Sequence, residues 1–312
     1  MSLAVVSLAH APSYGYVDPG GTTVAEIDAA LVEARAFIAE FDPEVVVVFG
    51  PDHFNGMLYD NISPWTVGAN AEGVGDWGTW KGPIPVDSDA ARLLHKLVLA
   101  EGIDIGRSER MRVDHGVMRA VEFLYGHGFT QPIVPVFVNA LGHPLTPMRR
   151  VREMGEAFGR AALSLDKRVL FIGSGGISHN PPIPRWETAS PEVRERLISY
   201  NPTAADRKER EDHITDAIQA VADGKVPPTH LNVPWDDLVL DTLRSGNLTA
   251  VDAWDNEQFL QEGGSAAHEM RSWIAAFAAL SMAGPYELPT DHYWGVENWD
   301  GGFAVQTART KG

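Results

Sequence analysis

Along the first half of the chain, four strand-length runs are apolar at nearly every position: residues 3–9, 44–49, 133–138 and 168–172. A strand that is hydrophobic throughout, rather than at alternate positions, belongs in a sheet covered on both faces. Between these runs the apolar spacing changes to that of a helix. Ile27, Leu31, Ala34, Phe37, Ile38 and Phe41 recur at three- and four-residue intervals behind Thr22 or Thr23 as a cap, and Pro43 ends the pattern. Residues 87–101, a stretch from Gly116 through Leu124, and residues 145–163 read as further helices. Strand-then-helix order predicts an α/β fold, a mainly parallel mixed sheet flanked by helices. Proline inside 133–138 predicts an edge or irregular place for that strand.

Residues 54–82 are rich in Gly, Asn, Trp and Tyr with little periodicity, and read as a long loop of the kind that walls a binding site. Past Pro184 the pattern becomes helix and loop. Residues 203–223 read as a charged, solvated helix, and 237–244 and 251–261 as shorter ones. Residues 263–282 read as a helix with Met270, Trp273, Ile274 and Phe277 on its apolar face. The aromatic-rich tail, 286–303, reads as loop. The expected organisation is one catalytic unit over residues 1–312, with the α/β sheet core in 1–184 and a helix-rich part in 185–312 that supplies a carboxylate.

Composition narrows the chemistry more than the fold. With 44% hydrophobic and 21% charged residues, the 312-residue chain has an ordinary globular composition. No apolar run approaches a membrane span and the N-terminus carries no export signal, so a cytoplasmic protein with no membrane partner is expected. A formal net charge of −17 opposes nucleic-acid binding, because the phosphates would be repelled over most of the surface. An anionic small molecule would need a local cationic pocket. The chain has no cysteine, which removes disulfides, thiolate metal sites and cysteine nucleophiles together and confines any metal to nitrogen and oxygen ligands.

Four histidines each follow an apolar run or sit in a glycine-punctuated loop. They are His10 after the first run, His53 after Gly50-Pro-Asp, His115 in Val113-Asp-His, and His179 beyond Gly173-Ser-Gly-Gly176 and ahead of Pro181. His95, His127, His143, His213, His230 and His292 read as packed or surface residues. Apolar runs that repeatedly end on histidines gather them at one place. Two imidazoles and one carboxylate on one face of a metal leave three positions free, the ligand set of non-haem Fe(II) enzymes that hold a bidentate substrate beside O2. Three residues compete for the carboxylate. Asp52 and Asp114 adjoin candidate histidines, but neighbouring residues tend to point apart, so either serves equally well as an outer partner. Glu269 lies four residues before Trp273 in an otherwise apolar stretch, where a carboxylate is costly unless paired or metal-bound. The glycine turn fits a dinucleotide fingerprint poorly, since Ser178 stands where the third glycine belongs and a histidine and prolines follow instead of a helix. No Walker motif, nucleophile elbow or His-Glu-x-x-His motif is present.

With these residues assembled, the sequence resembles the class III extradiol catechol dioxygenases, in particular the single-subunit group acting on catechols with a three-carbon acid side chain. The resemblance is carried by Ser7-Leu-Ala-His10 with Gly15-Tyr-Val-Asp-Pro19, Phe49-Gly-Pro-Asp-His-Phe-Asn-Gly56, Val113-Asp-His-Gly116 and Pro135-Val-Phe-Val-Asn139. Residues 167–179 with Pro181-Pro182, and His268-Glu269 with 273–279, complete it, in order along nearly the whole chain. It implies Fe(II) held by His10, His53 and Glu269, and an acid–base pair, His115 and His179, with Asp114 and Pro181 beside them. It further implies O2-dependent opening of a 3-substituted catechol outside its two hydroxyls, giving a 2-hydroxy-6-oxo-dienedioate, with His179 as base and His115 as acid, in a homo-oligomer. Two other classes stay open. A Zn-dependent hydrolase on the same ligands would consume no O2, and a non-catalytic binding protein on the same scaffold would have no use for a paired acid and base. A nicotinamide-dependent oxidoreductase is a third, distant reading.

Overall fold

The computed structural model describes residues 2–199 and 201–311. The chain begins with β1 (Ser2–Leu8), α1 (Thr23–Phe41) and β2 (Val45–Gly50). The stretch expected to be one long loop instead contains β3 (Trp65–Gly68), β4 (Ala71–Val74) and β5 (Lys81–Pro83), each too short to leave a periodic signal. Next come α2 (Ser88–Ala100), β6 (Gly106–Ser108), β7 (Met111–Val113), α3 (His115–Tyr125), β8 (Val134–Val138), α4 (Met148–Leu163) and β9 (Arg168–Ser174). The second half supplies α5 (Pro191–Ser199), α6 (Ala204–Ala222), α7 (Val233–Ser245), α8 (Asn256–Gly263) and α9 (Met270–Ser281), then β10 (Tyr286–Val296) and β11 (Gly301–Thr310).

The main sheet runs β10-β11-β1-β9-β2-β8-β3-β6. Its centre, β1, β9, β2 and β8, is parallel, while β11 lies antiparallel on β1 and β3 antiparallel on β8. The strands bury both faces. Leu3, Val5, Val47, Phe49 and Phe171 share a core with α4 and α9, and Ala4, Val6, Leu8, Val46 and Ile172 share one with α1 and α3. This accounts for runs that read as continuously apolar. Helices α4 and α9 pack backbone to side: a Cβ on Gly155 or Gly159 would fall 2.3 or 2.2 Å from the carbonyl oxygens of Ala275 and Ala279.

Four expectations need correction. The tail is a β-hairpin, not a loop; β11 buries Gln306 and Thr307 along with its apolar residues, so no hydrophobic pattern betrayed it. It extends the sheet beyond β1, so the N- and C-terminal parts share one sheet. Strand β8 is interior, and Pro135 falls just past the last β8–β3 pair, Val136 with Val67, where no ladder bond to β3 is required of it. Residues 251–261 divide at Asp255, whose carboxylate caps α8 by accepting from Glu257 N and Gln258 N. Finally, α9 starts only at Met270, after Gly264 in a positive-φ conformation and a short 3-10 turn. No helix among the described residues is long and apolar enough to cross a membrane.

Candidate metal centre and active site

The carboxyl ends of β1, β2 and β9 open on one edge of the sheet, where parallel α/β folds place their ligands. From there β1 runs into His10, β2 through Pro51 and Asp52 into His53, and β9 into the glycine turn ahead of His179. His115 arrives as the first residue of α3, whose start is capped by the Asp114 carboxylate accepting from Gly116 N at 2.9 Å. Glu269 closes the 3-10 turn Ala267–Glu269 ahead of α9. The turn glycines provide room rather than unusual torsions: a Cβ on Gly175 would lie 2.4 Å from Glu269 O, and one on Gly176 2.4 Å from the His179 ring. Gly176 N donates to Glu269 Oε2 at 2.7 Å and Trp273 Nε1 to Gly175 O at 3.0 Å, which locks turn and helix together.

All five side chains converge. Glu269 is fully buried, with Oε1 3.1 Å from His53 Nε2, Oε2 3.1 Å from His10 Nε2, and His179 Nε2 3.6 Å from Oε2. The His53 and His115 rings stack at 4.0 Å, and His10 meets them edge-on at 5.4 and 5.5 Å. Hydrogen bonds at the far nitrogens fix the tautomers. Ser174 donates its one hydroxyl hydrogen to Gly116 O at 2.5 Å, so it accepts from His10 Nδ1 at 3.0 Å and leaves Nε2 a lone pair. His53 Nδ1 lies 3.1 Å from Asp114 Oδ2, which also accepts from His53 N and Asn55 Nδ2. His53 Nε2 therefore also turns towards Glu269 as an acceptor.

Two lone pairs and a carboxylate aimed at one point, with no hydrogen to share, repel unless a cation sits among them, so this donor set fits a metal ion. Without one, a proton takes the place. Burial pushes His53 down, but Asp114 and Glu269 outweigh it and hold it well above the usual imidazole value. Burial keeps His10 low. Burial would raise Glu269, yet His10 and His179 hold it well below the usual carboxylate range. Nitrogens of His10, His53 and His115 also lie within 4.8 Å of one another, as do ligand atoms of Asp76, Asp114 and His115. Stacked rings, however, aim their nitrogens side by side rather than at a common point, and Glu269 faces both His10 and His53 head-on. Glu269 thus stands 3.1 Å from both His10 Nε2 and His53 Nε2.

His115 and His179 flank this point. His115 Nδ1 lies 2.6 Å from Asp76 Oδ2, and Asp76 accepts from His115 N at 2.9 Å, which leaves Nε2 for the cavity. Burial and the neighbouring His53 push His115 well below its usual value, while burial and Asp114 push Asp76 up. His179 donates from Nδ1 to Ile177 O at 2.9 Å; burial lowers it, but Glu269 prevails and raises it. Its loop is held by Asp236, which accepts from Ser178 N, Ser178 Oγ and Tyr293 Oη. Asp114 sits against His53 as expected. Asp52 touches no imidazole; it accepts from the amides of Asn55, Gly56 and Met57 at 2.9–3.1 Å and shapes the loop beyond His53. Pro181 lines the cavity, its carbonyl accepting from Ser265 Oγ. Sequence reasoning missed Ser174 and Asp76. Asp76 lies between Gly75 and Gly78 in a stretch without periodicity, and no spacing marks it.

The sequence matches, over residues 4–299, the family described as the catalytic LigB subunit of aromatic ring-opening dioxygenase. Three relatives are named 2,3-dihydroxyphenylpropionate/2,3-dihydroxicinnamic acid 1,2-dioxygenase. That of Rhodococcus jostii (strain RHA1) is 47% identical, spanning 99% of this chain and 98% of the relative. That of Mycolicibacterium paratuberculosis (strain ATCC BAA-968 / K-10) is 43% identical over all of both chains, and that of Burkholderia vietnamiensis (strain G4 / LMG 22486) is 43% identical over 100% of this chain and 98% of the relative. The chain thus belongs to the LigB family of aromatic ring-opening dioxygenases.

Proposed function

We propose that the protein opens a 3-substituted catechol with O2, using one Fe(II) held by His10, His53 and Glu269 and a proton-handling pair, His115 and His179. Relatives named for dihydroxyphenylpropionate and dihydroxycinnamic acid, 43–47% identical along almost the whole chain, favour a three-carbon acid side chain on the ring. The observation that carries the reading is the convergence of two imidazole lone pairs and a fully buried carboxylate on one point. Fe(II) held by these residues would supply Lewis acidity towards the catechol and the redox chemistry between it and O2.

The chain's own groups do the rest. His179, oriented by Ile177 O, takes a phenolic proton at Nε2. Glu269 is what favours its protonated form, and a cation on Glu269 cancels that cause. His115 returns a proton from Nε2 to the departing oxygen, and Asp76 replaces it at Nδ1 across the 2.6 Å contact. Trp77, Pro181, Pro182, Ile183 and Trp299 wall the cavity against water. The reading treats residues 1–312 as one catalytic unit, because Glu269 from the C-terminal part meets His10 and His53 from the N-terminal part. By family resemblance it extends to a cytoplasmic homo-oligomer.

The test is anaerobic reconstitution with Fe(II), then oxygen uptake and product colour across 3-substituted catechols. Stoichiometric O2 consumption with a yellow product supports the reading. Turnover of an ester or amide by a Zn(II) form without O2 uptake would replace it with a hydrolase.

A further inference from the structure

An acidic protein that binds an anionic catechol must present a cation somewhere in its cavity. Among the described residues lining the cavity with the histidine cluster, Arg210 on α6 is the one lysine or arginine. Arginines elsewhere, such as Arg152, Arg160, Arg168, Arg244 and Arg309, are matched to carboxylates at 2.7–3.0 Å. Arg210 makes no such pair among the described residues. Its two terminal nitrogens reach only the carbonyl oxygen of His53, each at a long 3.4 Å. Its fork is therefore held beside the ligand loop with its bidentate capacity unspent. Of the acidic side chains around it, Asp300 accepts from the amides of Thr229, His230 and Leu231, Glu211 from Trp77 N, and Asp206 from Thr203 N and Oγ1.

The rest of α6 fits the same use. Arg210, Ile214, Ala217, Ile218 and Val221 follow at four-, three-, one- and three-residue steps, a single helical stripe, and all five line the cavity. The charged pattern of 203–223 predicts a solvated helix, and none of its residues is fully buried. What the pattern hid is that this one stripe roofs the cavity, with a cation at one end and aliphatic side chains along the rest. Arg210 also borders the outer surface near Glu195, Asn201 and His213, so a carboxylate bound there keeps part of its hydration.

We propose that Arg210 is the specificity residue for the side-chain carboxylate of the substrate: its guanidinium pairs with the acid at the end of the three-carbon chain while Ile214 and Ile218 pack along that chain. This rests on the catechol-opening reading above. A charge-assisted bidentate pair supplies binding that a neutral chain of the same length cannot obtain.

The experiment compares kcat/KM for 3-(2,3-dihydroxyphenyl)propionate and for 3-propylcatechol, of similar length but uncharged, in the Fe(II)-loaded wild type, Arg210→Gln and Arg210→Lys. The wild type prefers the acid. In Arg210→Gln, kcat/KM for the acid falls on the order of 10²-fold, mostly through KM, and that for propylcatechol changes far less, so the preference collapses. Arg210→Lys, which keeps charge without the fork, gives an intermediate preference. If Arg210→Gln retains the wild-type preference, whether both substrates stay fast or both slow in parallel, Arg210 does not read the carboxylate. A wild type that cleaves both catechols without preference overturns only this assignment; one that cleaves neither overturns the ring-opening reading beneath it.

Discussion

Asp76 offers the sharpest single perturbation. It touches no substrate-facing atom, yet it holds His115 by two hydrogen bonds, one to the backbone amide at 2.9 Å and one at Nδ1 at 2.6 Å, all of it buried. Asp76→Asn keeps an oxygen to accept from the His115 amide, so the start of α3 and the metal ligands should stay in place. It also sets an NH2 group against Nδ1, and that group can neither supply nor take the proton that His115 passes at Nε2. A positioned acid typically contributes about 10²–10⁴-fold, and outer partners of such groups about 10–100-fold. The variant should therefore lose about 10²-fold in kcat, about 2.7 kcal/mol at 1.36 kcal/mol per decade, with KM and iron content near wild type. Asp76→Ala differs: it orphans a buried amide and should also cost about 1–3 kcal/mol of stability. Oxygen-electrode kinetics, iron content and thermal unfolding separate these effects. A kcat within threefold of wild type for Asp76→Asn, at full iron occupancy, would show that the carboxylate only shapes the backbone.

Other outcomes follow from the same geometry. Glu269→Gln should abolish stoichiometric Fe(II) binding, read by metal analysis after gel filtration; full retention of iron would remove Glu269 from the ligand set. His115→Ala and His179→Ala should each reduce kcat about 10²–10⁴-fold while iron stays bound, and near-full activity in either would cancel that residue's role. Because Asp114 and Glu269 keep His53 protonated in the metal-free protein, a metal must displace that proton. Affinity should rise with pH through the neutral range and level off above the raised His53 value. Calorimetry in two buffers of different ionisation enthalpy should report release of about one proton per metal; no release would contradict this. Gly176→Ala places a Cβ 2.4 Å from the His179 ring and should depress turnover more than iron binding, an order that a reversed result would refute.

The legible parts of the chain were those with a local cause. The central strands are buried on both faces and announce themselves as apolar runs, and the histidines at their ends follow directly. Strands β3 to β7 are only three or four residues long, too short for a local period to mark them. The β10–β11 hairpin hides because its inner strand buries Gln306 and Thr307. Within the site, His10, His53, His115, His179 and Glu269 were nameable from motif and resemblance, but their partners were not. Asp76 meets His115 across 39 positions and Ser174 meets His10 across 164, contacts that only the folded chain brings together. The same holds for Arg210, one charge among many in a stretch whose polarity points outward.

The central claim is that one metal binds between His10, His53 and Glu269. Anomalous diffraction at the iron edge from crystals loaded anaerobically with Fe(II) tests it directly. The account predicts a single peak within bonding distance of His10 Nε2, His53 Nε2 and a Glu269 oxygen, with His115 and His179 on its flanks. A peak ligated by His115 with His10 and His53, or one lodged between Asp76, Asp114 and His115, would contradict it.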